Sequence, residues 1–161
     1  MKKMKISSVL ITGFLLTVIL AGLVTSAVGV DGGSDLFVTL ESMVDVYNEN
    51  IGDIPFVTSL LGDERINAEI ALTDGSTLII GITTDSDAKI TSFEEGAISD
   101  PSLRAYTDEN TVLAIINSAD PVSAAQDALD SGAIRLEGVG VGNKIKVGVM
   151  KFAVKMLDLF R

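Results

Sequence analysis

The 161-residue chain contains no cysteine, no histidine and no tryptophan. Without cysteine there is no disulfide framework and no thiol nucleophile, which says little about compartment, since an exported protein of this size can fold without staples. The absence of histidine removes more. The usual hydrolytic triads and most zinc sites depend on it, so carboxylates, lysines, tyrosines and hydroxyls are the only side chains left to carry a reaction. Cations are scarce as well: 12 Lys and Arg against 22 Asp and Glu give a net charge of −10. That balance is unfavourable for nucleic acid, whose phosphates require a basic footprint. The cations are also unevenly placed. Only Arg65, Lys89 and Arg104 are basic between Asp31 and Ile134, whereas Arg135, Lys144, Lys146, Lys151, Lys155 and Arg161 then face only Glu137 and Asp158. An acidic, well-solvated body is followed by a basic terminal segment.

The amino terminus carries Lys2, Lys3 and Lys5, and no charged residue from Ile6 to Val30. This is an export signal with two readings. It is a signal peptide cleaved near Ala27, where Thr25 and Ala27 supply small residues, or an uncleaved anchor, since the run exceeds the roughly 20 residues that span a bilayer. Both keep the lysines inside and place everything after Asp31 outside the cytoplasmic membrane. Residues 1–30 are therefore read as signal peptide or membrane anchor, and residues 35–161 as one domain, large enough to bury its own core.

Within the domain, Ser34 can cap a helix with Leu36, Leu40, Met43, Val44 and Tyr47 at helical spacing. Ile51 to Pro55 breaks it, Pro55 to Leu61 can add a further turn or two, and Leu60 and Leu61 are candidate core residues. From Arg65 the period becomes two, with Ile66, Ala68, Ile70 and Leu72 before an Asp74-Gly75 turn and Leu78, Ile80 and Ile82 after it, which predicts a β-hairpin. A third strand is expected over Lys89 to Glu94 and a fourth over Leu103 to Thr107. Asp108 then caps a helix carrying Val112, Leu113, Ile115 and Ile116. Asp120 and Pro121 open another helix, Gly132 ends it, and the alternation of Ile134 and Leu136 up to Gly138 predicts a fifth strand. A last helix carries Ile145, Val149, Phe152, Met156 and Leu159 on one face. Strands grouped in sequence with helices collected at either side indicate an α+β fold. The expected form is a five-stranded, mostly antiparallel sheet with helices packed on one face, preceded by the N-terminal hydrophobic helix.

Three motifs do not carry the chemistry they suggest. Glu94 and Glu95 are strand neighbours and point to opposite faces, so they cannot converge on a substrate. Asp85-Ser-Asp87 begins like a calcium loop, but Lys89 stands where an oxygen ligand is needed. Gly138, Gly140 and Gly142 have the wrong spacing for a dinucleotide fingerprint, and no βαβ unit follows.

Asp-Pro-Val-x-Ala at 120–124, Ser131-Gly132-x-Ile134-x-Leu136-x-Gly138 and the upstream Leu72-Thr-Asp-Gly75-Ser resemble the sterol carrier protein type 2 domain, a lipid-binding fold. The resemblance extends from about Tyr47 to the C-terminus. It implies a non-catalytic protein with no cofactor that holds a long-chain lipid in an apolar tunnel between sheet and helices, closed by the last helix. On that basis the lipid-binding residues are expected to be Ile66, Ile70, Leu78, Ile80, Leu113, Ile116, Ala125 and Leu129, with Met150, Phe152 and Met156 from the last helix. Lys144 and Lys146 lie in the first turn of that helix, where cations oppose the dipole, beside Gly140 and Gly142, which leave backbone amides accessible. They are the candidate headgroup residues, for a polar lipid head or an anionic membrane surface. The family is often intracellular, whereas this chain is read as exported, and its Leu159-Phe160-Arg161 ending is no peroxisomal address. The rival reading is a structural or protein-interaction module at the cell surface, with the same fold and a filled core.

Overall fold

The computed structural model describes residues 33–51 and 61–140. Its centre is the hairpin of β1 (Arg65–Ala71) and β2 (Thr77–Thr84). Gly75 takes the left-handed conformation at φ 88 in the turn between them, and Asp74 Oδ1 accepts from the backbone N–H and hydroxyl of Ser76. Those two bonds favour the ionised Asp74 carboxyl and hold it below its usual range. The register sets Ile66 opposite Ile82, Ala68 opposite Ile80 and Ile70 opposite Leu78. Strand alternation therefore collects all six on one face.

β3 (Ile90–Glu95) pairs antiparallel with β2, β4 (Leu103–Asp108) pairs parallel with β1, and β5 (Arg135–Gly138) pairs antiparallel with β4. The strand order is β3-β2-β1-β4-β5. The sheet is thus mixed, which corrects the mostly antiparallel expectation. After β3 the chain crosses under β2 and β1 to reach the far side of the hairpin and enters β4 in the direction of β1. Local alternation records which face a residue takes and nothing about the direction of its neighbour.

The crossing is held on the sheet's second face. Asn67 Nδ2 donates to the Ile98 carbonyl and its Oδ1 accepts from Ile98 N–H, so one amide side chain acts as a strand partner to the loop. Arg65 Nη2 donates to the Ser99 carbonyl at 2.7 Å. Gly81 lies directly beneath: a Cβ there would stand 2.5 Å from Ile98 Cγ2 and 2.9 Å from the Gly96 carbonyl oxygen.

The helix expected over Leu36 to Tyr47 is two helices, α1 (Gly33–Glu41) and α2 (Val44–Asn50). At the break Met43 N–H donates to the Leu40 carbonyl, three residues back, and the Ser42 hydroxyl donates to the Thr39 carbonyl. A tightened turn and a side-chain donor replace the regular ladder there. Leu36, Leu40, Met43 and Tyr47 stay buried through the break, so both pieces face the core. α1 starts at Gly33, which puts Ser34 inside its first turn instead of ahead of it. The N-terminal hydrophobic segment, Leu60 and the proposed turns over 55–60 lie outside the described residues. Among those described, no helix is long and apolar enough to cross a membrane.

α3 (Glu109–Ile116) and α4 (Pro121–Ser131) connect β4 to β5. Val112, Ile115, Ala125 and Ala128 join Leu36, Leu40 and Tyr47 in one apolar cluster with Ile66, Ala68, Ile70, Ile80, Ile82, Leu103 and Ala105. Within each strand these residues alternate, and the register aligns Ile66 with Ile82 and Leu103 and Ala68 with Ile80 and Ala105, so the helices pack on that single face.

Candidate functional site

The two helices over the sheet are positioned by their caps. Asp108 Oδ1 accepts from Thr111 N–H at 2.9 Å and opens α3 as β4 ends, while Asp120 Oδ1 accepts from Ser123 N–H at 3.1 Å and opens α4 around Pro121. Each satisfies an amide that has no partner within its helix. Gly132, at φ 81, ends α4. Ile134 N–H then donates to the Ala128 carbonyl, so the fifth strand begins at Arg135, not directly after Gly132.

Between these helices and the sheet lies an apolar layer containing eight of the residues expected to bind lipid. Ile66 and Ile70 are 0% exposed, Ile80 1%, Leu78 4% and Ala125 0%. Leu113, Ile116 and Leu129 pack against them but are only partly buried. The set therefore divides into a sealed part, the four strand residues with Ala125 of α4, and a partly open rim of Leu113, Ile116 and Leu129. On its core side α4 presents the alanines Ala125 and Ala128, small side chains that join the same buried cluster as the strands. Met150, Phe152, Met156, Lys144 and Lys146 lie outside the described residues.

The partners of the polar groups at the margins of this layer had no signal in the local pattern. Glu109, in the first turn of α3, is buried, and its Oε2 accepts from both the N–H and the hydroxyl of Thr73 at 2.7 Å. It clamps the Leu72–Ser76 turn onto the start of the helix across 36 residues of sequence, a partnership no spacing rule reveals. Tyr47 is fully buried and donates to the Ala88 carbonyl at 2.7 Å. Burial, and then the charge of Asp85, raise its phenol well above the usual tyrosine value. Asn48 both donates to the Ile90 carbonyl and accepts from Ile90 N–H, covering the outer edge of β3. Thr107 was legible in principle, because the alternation Leu103, Ala105, Thr107 puts a hydroxyl on the apolar face. Its Oγ1 is buried with no hydrogen-bond partner among the described residues.

The motifs set aside in the sequence stand as turns and strand ends. Asp85 Oδ1 accepts from Asp87 and Lys89 N–H, closing a tight turn with Ala88 at φ 63. Glu94 and Glu95 are both exposed and pair with Gly81 and Ile80, on opposite faces of β2. Among the described residues no group of three acidic side chains could hold a metal ion.

No protein-family model matches the chain, and no curated protein matches it. Several solved structures are similar to it. Sterol carrier protein 2 like 2 from Aedes aegypti is 18% identical over 75% of this chain and 97% of its own, with a TM-score of 0.44. Sterol carrier protein domain 2 of Helicoverpa armigera is 14% identical over 79% and 96%, with a TM-score of 0.44. Sterol carrier protein 2 from Yarrowia lipolytica is 13% identical over 72% and 94%, with a TM-score of 0.42. These structures bear the name of the family that residues 120–138 resemble. Their identities are under 25% and their TM-scores under 0.5, and the functional reading rests on the chain's own residues.

Proposed function

We propose that the domain binds a long-chain lipid, without catalysing a reaction, along the apolar layer between the sheet and helices α3 and α4. The supporting observation is the division of that layer: Leu113, Ile116 and Leu129 remain partly open beside the fully buried Ala125. An acyl chain laid against that rim gains roughly 25 cal/mol per Å² of apolar surface removed from water, more in total than a single hydrogen bond supplies. In this reading the closing of the site falls to Met150, Phe152 and Met156, which lie outside the described residues, and a polar head or an anionic membrane surface to Lys144 and Lys146. The lysine cluster and uncharged run before Asp31 support a location of this carrier or sensor outside the cytoplasmic membrane.

Mass spectrometry of lipids extracted from the purified, folded protein tests the reading directly, and recovery of a stoichiometric long-chain species is expected. Ala125→Phe tests the location. In a lipid site the ring occupies the ligand's place, uptake of a fluorescent fatty acid is lost and stability changes little; in a close-packed core the same change costs ~1–3 kcal/mol. Unchanged uptake by a folded variant would remove Ala125 from the site. The sealing of Ile66, Ile70 and Ile80 favours the rival reading, a surface module with a filled core. An extract devoid of lipid, together with a destabilised Ala125→Phe variant, decides for the rival.

A further inference from the structure

We propose that Thr107 makes the site selective for long-chain ligands carrying a neutral hydrogen-bonding group, a hydroxyl or a carbonyl. This rests on the lipid-binding reading above and adds the chemistry of the ligand's polar group. Thr107 is in register with Ile70 of β1 and shares its strand face with Leu103 and Ala105, both buried in the apolar cluster. Its side chain is therefore on the helix side of the sheet, in the layer assigned to the lipid. The hydroxyl oxygen is shielded from solvent and lacks a hydrogen-bond partner among the described residues. Other threonines of the domain are satisfied: Thr73 donates to Glu109, Thr84 to the Leu61 carbonyl and Thr111 to Asp108.

A buried hydroxyl left unbonded is destabilising, and valine would fill the same volume without that cost. A hydroxyl retained on this face is accounted for when a ligand group bonds to it. The charges of the described residues then indicate the class of group that Thr107 itself can hold. Arg65, Arg104 and Arg135 are exposed and belong to the opposite face by register, with Arg104 aligned to Asn67 and Arg135 to Tyr106, while Lys89 is exposed in a turn. A carboxylate or phosphate brought to Thr107 would lose its hydration for one hydroxyl donor and no described cation, which is strongly unfavourable. A neutral hydroxyl or carbonyl loses far less and satisfies the threonine.

The test is displacement of the neutral fluorescent probe N-phenyl-1-naphthylamine from the purified full chain by 1-hexadecanol, hexadecane and palmitate. Thr107→Val is expected to weaken 1-hexadecanol about five- to tenfold, the size of one net hydrogen bond, and to leave hexadecane and palmitate within about twofold. Thr107→Ser, which keeps the hydroxyl, should retain the alcohol affinity within about twofold. Should the valine variant not fold, Thr107→Ala is read in the same way. A folded hydroxyl-free variant that binds 1-hexadecanol as the wild type does, or that loses all three ligands equally, overturns the selection while leaving lipid binding intact. Failure of the wild type to bind the probe or any of the three overturns the lipid reading itself.

Discussion

On one side of the sheet Ile66, Ile70 and Ile80 are covered by side chains from four helices, whereas on the other Asn67 is covered by the single loop that carries the chain from β3 to β4. The first side is held by non-directional burial of apolar surface. The second is held by a paired amide and by the close approach of Ile98 to Gly81, both of which depend on the backbone path. An apolar face shared among many contacts can exchange one for another and can admit a ligand chain. A face held by directed bonds cannot shift without breaking them, and it fixes the strand order that the other face needs.

The largest expected effect is on the helix side. Ile70→Ala removes most of a fully buried side chain and should cost ~2–5 kcal/mol, read as a lower urea midpoint with an unchanged slope. A cost below ~1 kcal/mol would mean that the layer collapses readily onto the vacancy, and the contrast between the faces would weaken. Gly81→Ala comes next. Its new methyl must displace both Ile98 and the Gly96 carbonyl, and a loss of ~1–3 kcal/mol is expected from such overpacking. A neutral Gly81→Ala would show that the loop rides loosely over the sheet. The smallest effect belongs to Tyr47, whose phenol is buried against the Ala88 carbonyl. The folded chain holds this phenol protonated where an unfolded tyrosine, with its ordinary pKa of 10.0, begins to ionise. Its contribution is therefore complete below about pH 10 and is lost as the pH rises further. Tyr47→Phe should cost about 1 kcal/mol at neutral pH and flatten the alkaline fall in stability, measured by denaturant midpoints from pH 8 upward. An equally steep fall in the variant would assign the alkaline loss elsewhere.

Much of the architecture was legible because its determinants are local. The Asp74-Gly75 turn, the Asp108 and Asp120 caps and the left-handed Gly132 each mark a boundary within a few residues of it. Parity alone identified Ile66, Ile70, Leu78 and Ile80 as one face. The break at Ser42 was missed because Leu36, Leu40, Met43 and Tyr47 keep a helical apolar spacing straight through it, and the side-chain bond from Ser42 to Thr39 leaves no mark on that spacing. The candidate site was legible only as a list of apolar residues. How far each is open, with Ala125 sealed and Leu113, Ile116 and Leu129 partly exposed, depends on which helix lies over which strand.

By itself the sequence determined the kinds of the described elements, the ends marked by Asp74-Gly75, Asp108, Asp120 and Gly132, the apolar side of each strand, the acidic balance and the lack of histidine and cysteine chemistry, because each follows from residue type and short-range spacing. Only the tertiary structure decided that β4 runs parallel beside β1, that Glu109 clamps the turn at Thr73, that Asn67 and Asn48 act as strand partners, and that the Thr107 hydroxyl has no hydrogen-bond partner among the described residues. Those outcomes join segments that are distant in the chain, and such contacts are set by how whole elements pack, which no local pattern encodes.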